Sequence, residues 1–166
     1  MEEGASFSGD ILSQHSFGEA MRAASRLFAA CDTKWPDFLL PTAQRQLVDD
    51  LLRLCLHLRR VSEASSKKID RQIKGHSLGM TRDFSKHQGD LWTAINRVVH
   101  HHSLEPVLFT DANFFASGNE VMAGHLIADV EVTSDRGTCL INIAGLAIAC
   151  TNELGKQSLT PKKVFD

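Results

Sequence analysis

The chain lacks an excess of charge of either sign. Its 18 Lys and Arg stand against 20 Asp and Glu, a net charge of −2 over 166 residues. No global basic field attracts nucleic acid, so any such binding must come from a local patch or an assembly. No Cys-x-x-Cys pair occurs, and Cys31, Cys55, Cys139 and Cys150 lie far apart in apolar contexts. That pattern reads as buried free thiols in a reducing compartment, not as a disulfide framework. Long apolar runs are also missing. The longest mostly apolar stretch, Leu140–Cys150, contains Asn142 and Gly145 and is too short to span a bilayer. Met1 is followed by Glu2 and Glu3 without a basic segment, which argues against a signal peptide. No Gly-x-x-x-x-Gly-Lys loop, Gly-x-Ser-x-Gly elbow or His-Glu-x-x-His motif is present, so those NTPase, hydrolase and zincin classes have no support. The expectation is a soluble cytoplasmic protein without a cofactor.

What is present is ordinary globular composition, with 43% apolar and 23% charged residues. The length suits a single domain with a real core. Residues 1–15 are small and polar and read as a flexible arm. From Phe17, the residues Phe17, Met21, Ala24, Phe28 and Cys31 fall on one helical face, with Ser16 as N-cap and Glu19 completing a capping box. A second helix opens at Pro41-Thr42. Its stripe of Leu47, Leu51, Leu54, Leu58 and Val61 belongs against neighbours in a bundle, and its end is expected near Lys74. A third long helix is expected from about Thr81 to His101, with Phe84, Leu91, Ile95 and Val98 facing the core.

Beyond Pro106 the texture changes. Asp111–Asn119 reads as a loop carrying Phe114 and Phe115. Leu126, Ala128, Val130 and Val132 alternate with His125, Asp129, Glu131 and Thr133, the period of a half-buried strand. Ser134–Gly137 is a turn. A returning strand to about Asn142 follows; Ile143–Glu153 fits a helix by Ala144, Ala147 and Leu154 and a strand by Ile141, Ile143 and Ile148, with a short helix the favoured reading. The fold class expected is mainly α (α+β). An antiparallel bundle of three long helices occupies 17–103, a β-hairpin and short final helix occupy 104–154, and 155–166 form an exposed tail.

The chemistry concentrates in Leu91–His102, LWTAINRVVHHH, which holds three of the eight histidines. On a helical wheel Arg97 shares a flank with His101, Asn96 lines up with His100, and His102 returns toward the apolar face. Three histidines pointing three ways do not make one zinc site, so no metal site is assigned. Arg and His at a helix C-terminus also meet the negative end of the dipole favourably, which needs no function. The functional account uses the same side chains. Arg97 orients a phosphate, and a histidine moves a proton near neutral pH.

In that respect Arg97, four intervening residues and His102 resemble the motif on the last long helix of the HEPN superfamily, many of whose members are RNases of toxin and phage-defence systems. Leu91–His100 is also similar to the LN-x-x-x-H helix of uncharacterised HEPN-like proteins, with Asn96 and His100 as the paired polar positions. The resemblance covers about residues 17–103. It implies a metal-independent endoribonuclease acting as a homodimer, with Arg97 and His102 catalytic and Asn96, His100 and His101 supporting, or else a non-catalytic relative that binds RNA or a partner.

Three other readings stand beside it. One is an interaction protein using Phe114 and Phe115 as anchors. Another is a metal-binding domain pairing His100 or His101 with His76, His87 or His125. The third is a PilZ-type ligand sensor around Asn142, Gly145 and Leu146, which Ala144 in place of the motif serine counts against.

Overall fold

The computed structural model describes residues 3–64, 90–117 and 120–158. Among them the elements run α1 (Glu3–Cys31), β1 (Trp35–Pro36), α2 (Leu40–Ala64), α3 (Leu91–Val99), β2 (His101–Ser117), β3 (Glu120–Ser134), β4 (Gly137–Asn142) and α4 (Ile143–Ser158). None of these helices is long and apolar enough to cross a membrane.

Helices α1 and α2 pack antiparallel: Arg26 donates to Asp50 at 2.8 Å near one end, and the rings of His15 and His57 meet at the other. Their faces are complementary. α2 buries the ridge Leu47, Leu51, Leu54, Leu58 and Val61, while α1 buries Ala20, Ala23, Ala24 and Leu27. Alanines bring the α1 backbone close enough for the α2 leucines to fill the space between. The expected α1 face is thereby corrected. Met21 is 36% and Phe28 37% exposed, because the tight contact is taken by Ala20, Ala23, Ala24 and Leu27. α1 also begins at Glu3, so residues 3–15 extend the helix instead of forming an arm, and Ser16 is buried within it.

The sheet is antiparallel, with β3 at its centre. β2 pairs with β3 from Ser117↔Glu120 to His101↔Ser134. One edge of β3 is thus occupied along its length. β1 (Trp35↔His125, Pro36↔Gly124) and β4 (Asp129↔Asn142 through Ser134↔Gly137) therefore share the other. Pro106 lies in β2, an outer strand, where its missing N–H costs no ladder bond.

A bulge shifts the sheet's phase. Leu108 faces Ile127 and Val107 faces Asp129, so Ala128 has no partner on β2. Buried positions run His125, Ile127 before the bulge and Val130, Val132, Ser134 after it. The simple alternation that put His125 on the polar face fails for this reason. Asn142 holds the bulge in place. Its Nδ2 donates to the Ala128 carbonyl at 3.4 Å and to Asp129 Oδ1 at 3.1 Å, while its Oδ1 accepts from the Gly145 N–H at 2.8 Å and caps α4. The inner face of the sheet (Ile127, Val130, Val132, Cys139, Ile141) joins α3 and α4 residues Leu91, Ile95, Val98, Ile143 and Leu146 in one core.

This architecture overturns the resemblance and the fold expected from it. A four-stranded sheet with helices is a mixed α and β fold, not a helical HEPN bundle with an appended hairpin. The third long helix is not present in the described residues. Asp90 has extended backbone (φ −95°, ψ −179°) and caps a helix of only nine residues that ends at Val99. Val98, Val99, three histidines and Ser103 are weak helix formers, and β3 offers the chain after Val99 a ladder of partners. The stretch 111–117, expected as loop, belongs to β2. The expectations for 65–89, including the end of the second helix, lie outside the described residues, as do those for 159–166.

Candidate functional site

Where α3 meets the β3–β4 turn, a cleft of about 560 Å³ opens, lined by Asp90, Trp92, Thr93, Asn96, Arg97, His100, Ser134, Asp135 and Arg136. Its walls follow from two local features. α3 is short, and residues 93, 96, 97 and 100 follow one another at helical spacing on the side facing the turn. Asp90 starts that helix by accepting from the Thr93 N–H and the Thr93 hydroxyl, both at 2.8 Å. Opposite, the chain reverses through Asp135-Arg136, with Gly137 at φ 95°, a backbone angle that favours glycine. Arg136 N–H is held by Ser134 Oγ at 3.3 Å.

Arg97 is the unusual member. Its side chain lines the cleft, yet the residue is only 8% exposed. A guanidinium stays charged even when buried, so it brings a fixed cation and a planar fork of donors into a sheltered place. His100 caps the end of α3, its N–H reaching the Asn96 carbonyl at 2.9 Å. Arg59 of α2 donates through Nη1 to His100 Nε2 at 3.2 Å. Arginine cannot accept, so Nε2 is the acceptor, the ring is neutral, and its proton sits on Nδ1. α2 thereby orients a cleft donor. The second arm of Arg59 is anchored by Glu63 at 2.8 Å.

The structure separates the residues read from sequence. Arg97, Asn96 and His100 line one cleft, although the wheel assigned them to two flanks. The wheel fails for His101, because the helix has ended: its Nδ1 donates to the Val98 carbonyl at 2.7 Å. His102, 59% exposed, stands outside the lining and bonds Asp135 at 2.6 Å. Arg97 and His102 therefore meet the site differently, one as a buried wall and the other through a rim carboxylate. Asp90, Thr93, Trp92, Ser134, Asp135 and Arg136 were missed as site residues. Asp90 before an apolar helical run was the available signal, as an N-cap; nothing local tied the turn to it.

No group of three His, Cys, Asp or Glu among the described residues is placed to hold a metal ion. His76 and His87, invoked for a metal, lie outside those residues, and His125 is engaged elsewhere, between Asp37 and Thr110. Phe114 and Phe115 fall within β2, with side chains outside the described set. The cysteines are all free. Burial pushes the Cys55 thiol up to about 12, and burial with the Asp129 charge pushes Cys31 up to about 11. These are packing thiols, not nucleophiles.

No family profile, curated protein or solved structure matches the chain. Because the fold is mixed α and β and not a helical bundle, the HEPN-type RNase reading and its toxin or phage-defence role are withdrawn.

Proposed function

We propose that this protein binds a small organic acid in the cleft between α3 and the β3–β4 turn. The observation that carries the reading is the buried guanidinium of Arg97 in the wall of a polar cleft. The volume suits a ligand up to about the size of a nucleotide. Arg97 and Arg136 take the acidic group, with Arg97 supplying a fixed charge from the cleft wall. Asn96 and the Nδ1–H of His100 add neutral donors, and Trp92 offers a flat apolar surface.

The two arginines in the lining face two aspartates, Asp90 and Asp135, so the formal charges balance. A polyanion gains little from such a wall. An acid that also carries hydroxyl or amine donors uses both signs, since the carboxylates accept where the arginines donate. RNA is for this reason no part of the proposal. Nor is a homodimer built by pairing outer strands, because Pro106 and Glu105 on β2 are the residues that keep edges apart.

Calorimetric titration with nucleoside monophosphates, sugar phosphates and amino acids tests the reading. At least one class is expected to saturate. Arg136→Ala and Asn96→Ala should each weaken it about tenfold, the worth of one charge-assisted or bidentate contact. Arg97→Lys, which keeps the charge and loses the fork, should weaken it more, while His102→Ala should change it little. Saturable binding untouched by the first three substitutions would place the ligand elsewhere, and no binding by any class would end the proposal.

A further inference from the structure

A second constellation lies away from the cleft. His125 on β3 stands between Thr110, its cross-strand neighbour on β2, and Asp37, in the loop after β1. Thr110 Oγ1 is 3.0 Å from His125 Nδ1, and His125 Nε2 bonds Asp37 Oδ1, 88 residues away in sequence. His125 is 9% exposed, whereas Thr110 is open to solvent.

The donor arithmetic gives the order of protons. An ionised carboxylate only accepts, so Nε2–H of His125 donates to Asp37. In the neutral ring Nδ1 then carries a lone pair, and the Thr110 hydroxyl is the group that can donate to it. A hydroxyl bonded to a base, with the base oriented by a carboxylate, is the arrangement that activates a weak oxygen nucleophile. The Trp35↔His125 and Thr110↔His125 pairs fix the His125 backbone between β1 and β2, and Asp37, in the loop after β1, holds the ring. Large exposed apolar residues adjoin one end: Phe38 (70% exposed) and Leu39 (42%) follow Asp37, while Phe109, next to Thr110 in β2, faces the other side of the sheet.

We propose that Thr110 is an activated nucleophile that accepts acyl groups from esters of apolar acids. Thr110 Oγ forms the new C–O bond as the ester's alkoxy C–O bond breaks. Its proton passes to His125 Nδ1 and on to the departing alkoxide, which leaves as the alcohol. Water then attacks the acyl-threonine, giving a proton to His125 that returns to Thr110 Oγ as the acid is released. Asp37 is a positioning residue that holds the tautomer and balances the imidazolium.

The full-length chain is incubated with an alkyl fluorophosphonate and, separately, p-nitrophenyl butyrate. The phosphonate should add to Thr110, forming an O–P bond and expelling fluoride, with the site identified by peptide mass mapping. Thr110→Val should abolish the adduct and the ester hydrolysis. His125→Gln should slow both by about a hundredfold or more, the usual worth of a general base. Asp37→Asn alters an exposed side chain and so tests the relay even where a His125 substitution disturbs the sheet. It should slow labelling and shift its pH profile, with circular dichroism unchanged. An adduct at another residue, no adduct at all, or labelling of a folded Asp37→Asn protein at the parent rate and with the parent pH profile would overturn the proposal.

Discussion

The α1–α2 pair and the corner where α3 meets the sheet are built on opposite principles. α2 stays helical for 25 residues and buries a continuous leucine ridge; α3 stops after nine, and its exit at His100 is followed at once by a strand. In the first region the charged side chains lie outside the ridge, where they pair as Arg26 does with Asp50. In the second, a helix start, a helix end and a hairpin turn converge. Each leaves backbone groups that short polar side chains satisfy, and those side chains become the lining of the cleft. The difference teaches where function can sit: long complementary faces supply stability, and terminated elements supply donors and acceptors held in place by that stability.

Substitutions should divide along the same line. The largest effect is expected from Leu54→Ala, which empties a fully buried position on α2. It should cost about 3 kcal/mol in urea denaturation, while His100→Ala in the corner should cost under about 1 kcal/mol. A loss at His100 as large as at Leu54 would show that the corner carries the fold.

A smaller effect, about 1 kcal/mol, is expected from Asn142→Ala, which removes the α4 cap and the bonds to Ala128 and Asp129. Amide hydrogen exchange should quicken on β3 around the bulge and leave α2 unchanged. Uniform quickening would erase the distinction between the two regions.

The smallest effect concerns pH. Burial, then the Arg60 charge, pushes the pKa of His57 below its ordinary value. The unfolded chain therefore takes up the proton first. The contribution of His57 is complete above the unfolded pKa and is lost as pH falls through the folded one. His57→Gln should reduce the drop in urea midpoint between about pH 7.5 and about pH 5.5. An unaltered drop would show that His57 is not the source of the acid sensitivity.

Parts of this structure were legible in local sequence. The α2 ridge and the reversal at Ser134–Gly137 follow from periodicity and turn chemistry, which act within a few residues, whereas Ile143–Glu153 fitted strand and helix alike until Asn142 was seen to cap α4. Arg97, Asn96 and His100 were legible as chemistry but not as a site, since the wheel assumed a helix that the pairing of β2 with β3 cuts short. The buried face of α1 was misread by one position because apolar size was weighed and closeness of approach was not.

What the chain determined alone was thus which segments favour helix and turn, and which residue types gather near 90–102. Tertiary structure decided the rest: the end of α3, the bulge at Ala128, the burial of Arg97, and the meeting of Asp37, Thr110 and His125. The physical reason is range. Capping and periodicity are energies between near neighbours. Strand register and packing couple residues as far apart as Asp37 and His125, 88 positions along the chain, through contacts that exist only once the sheet has formed.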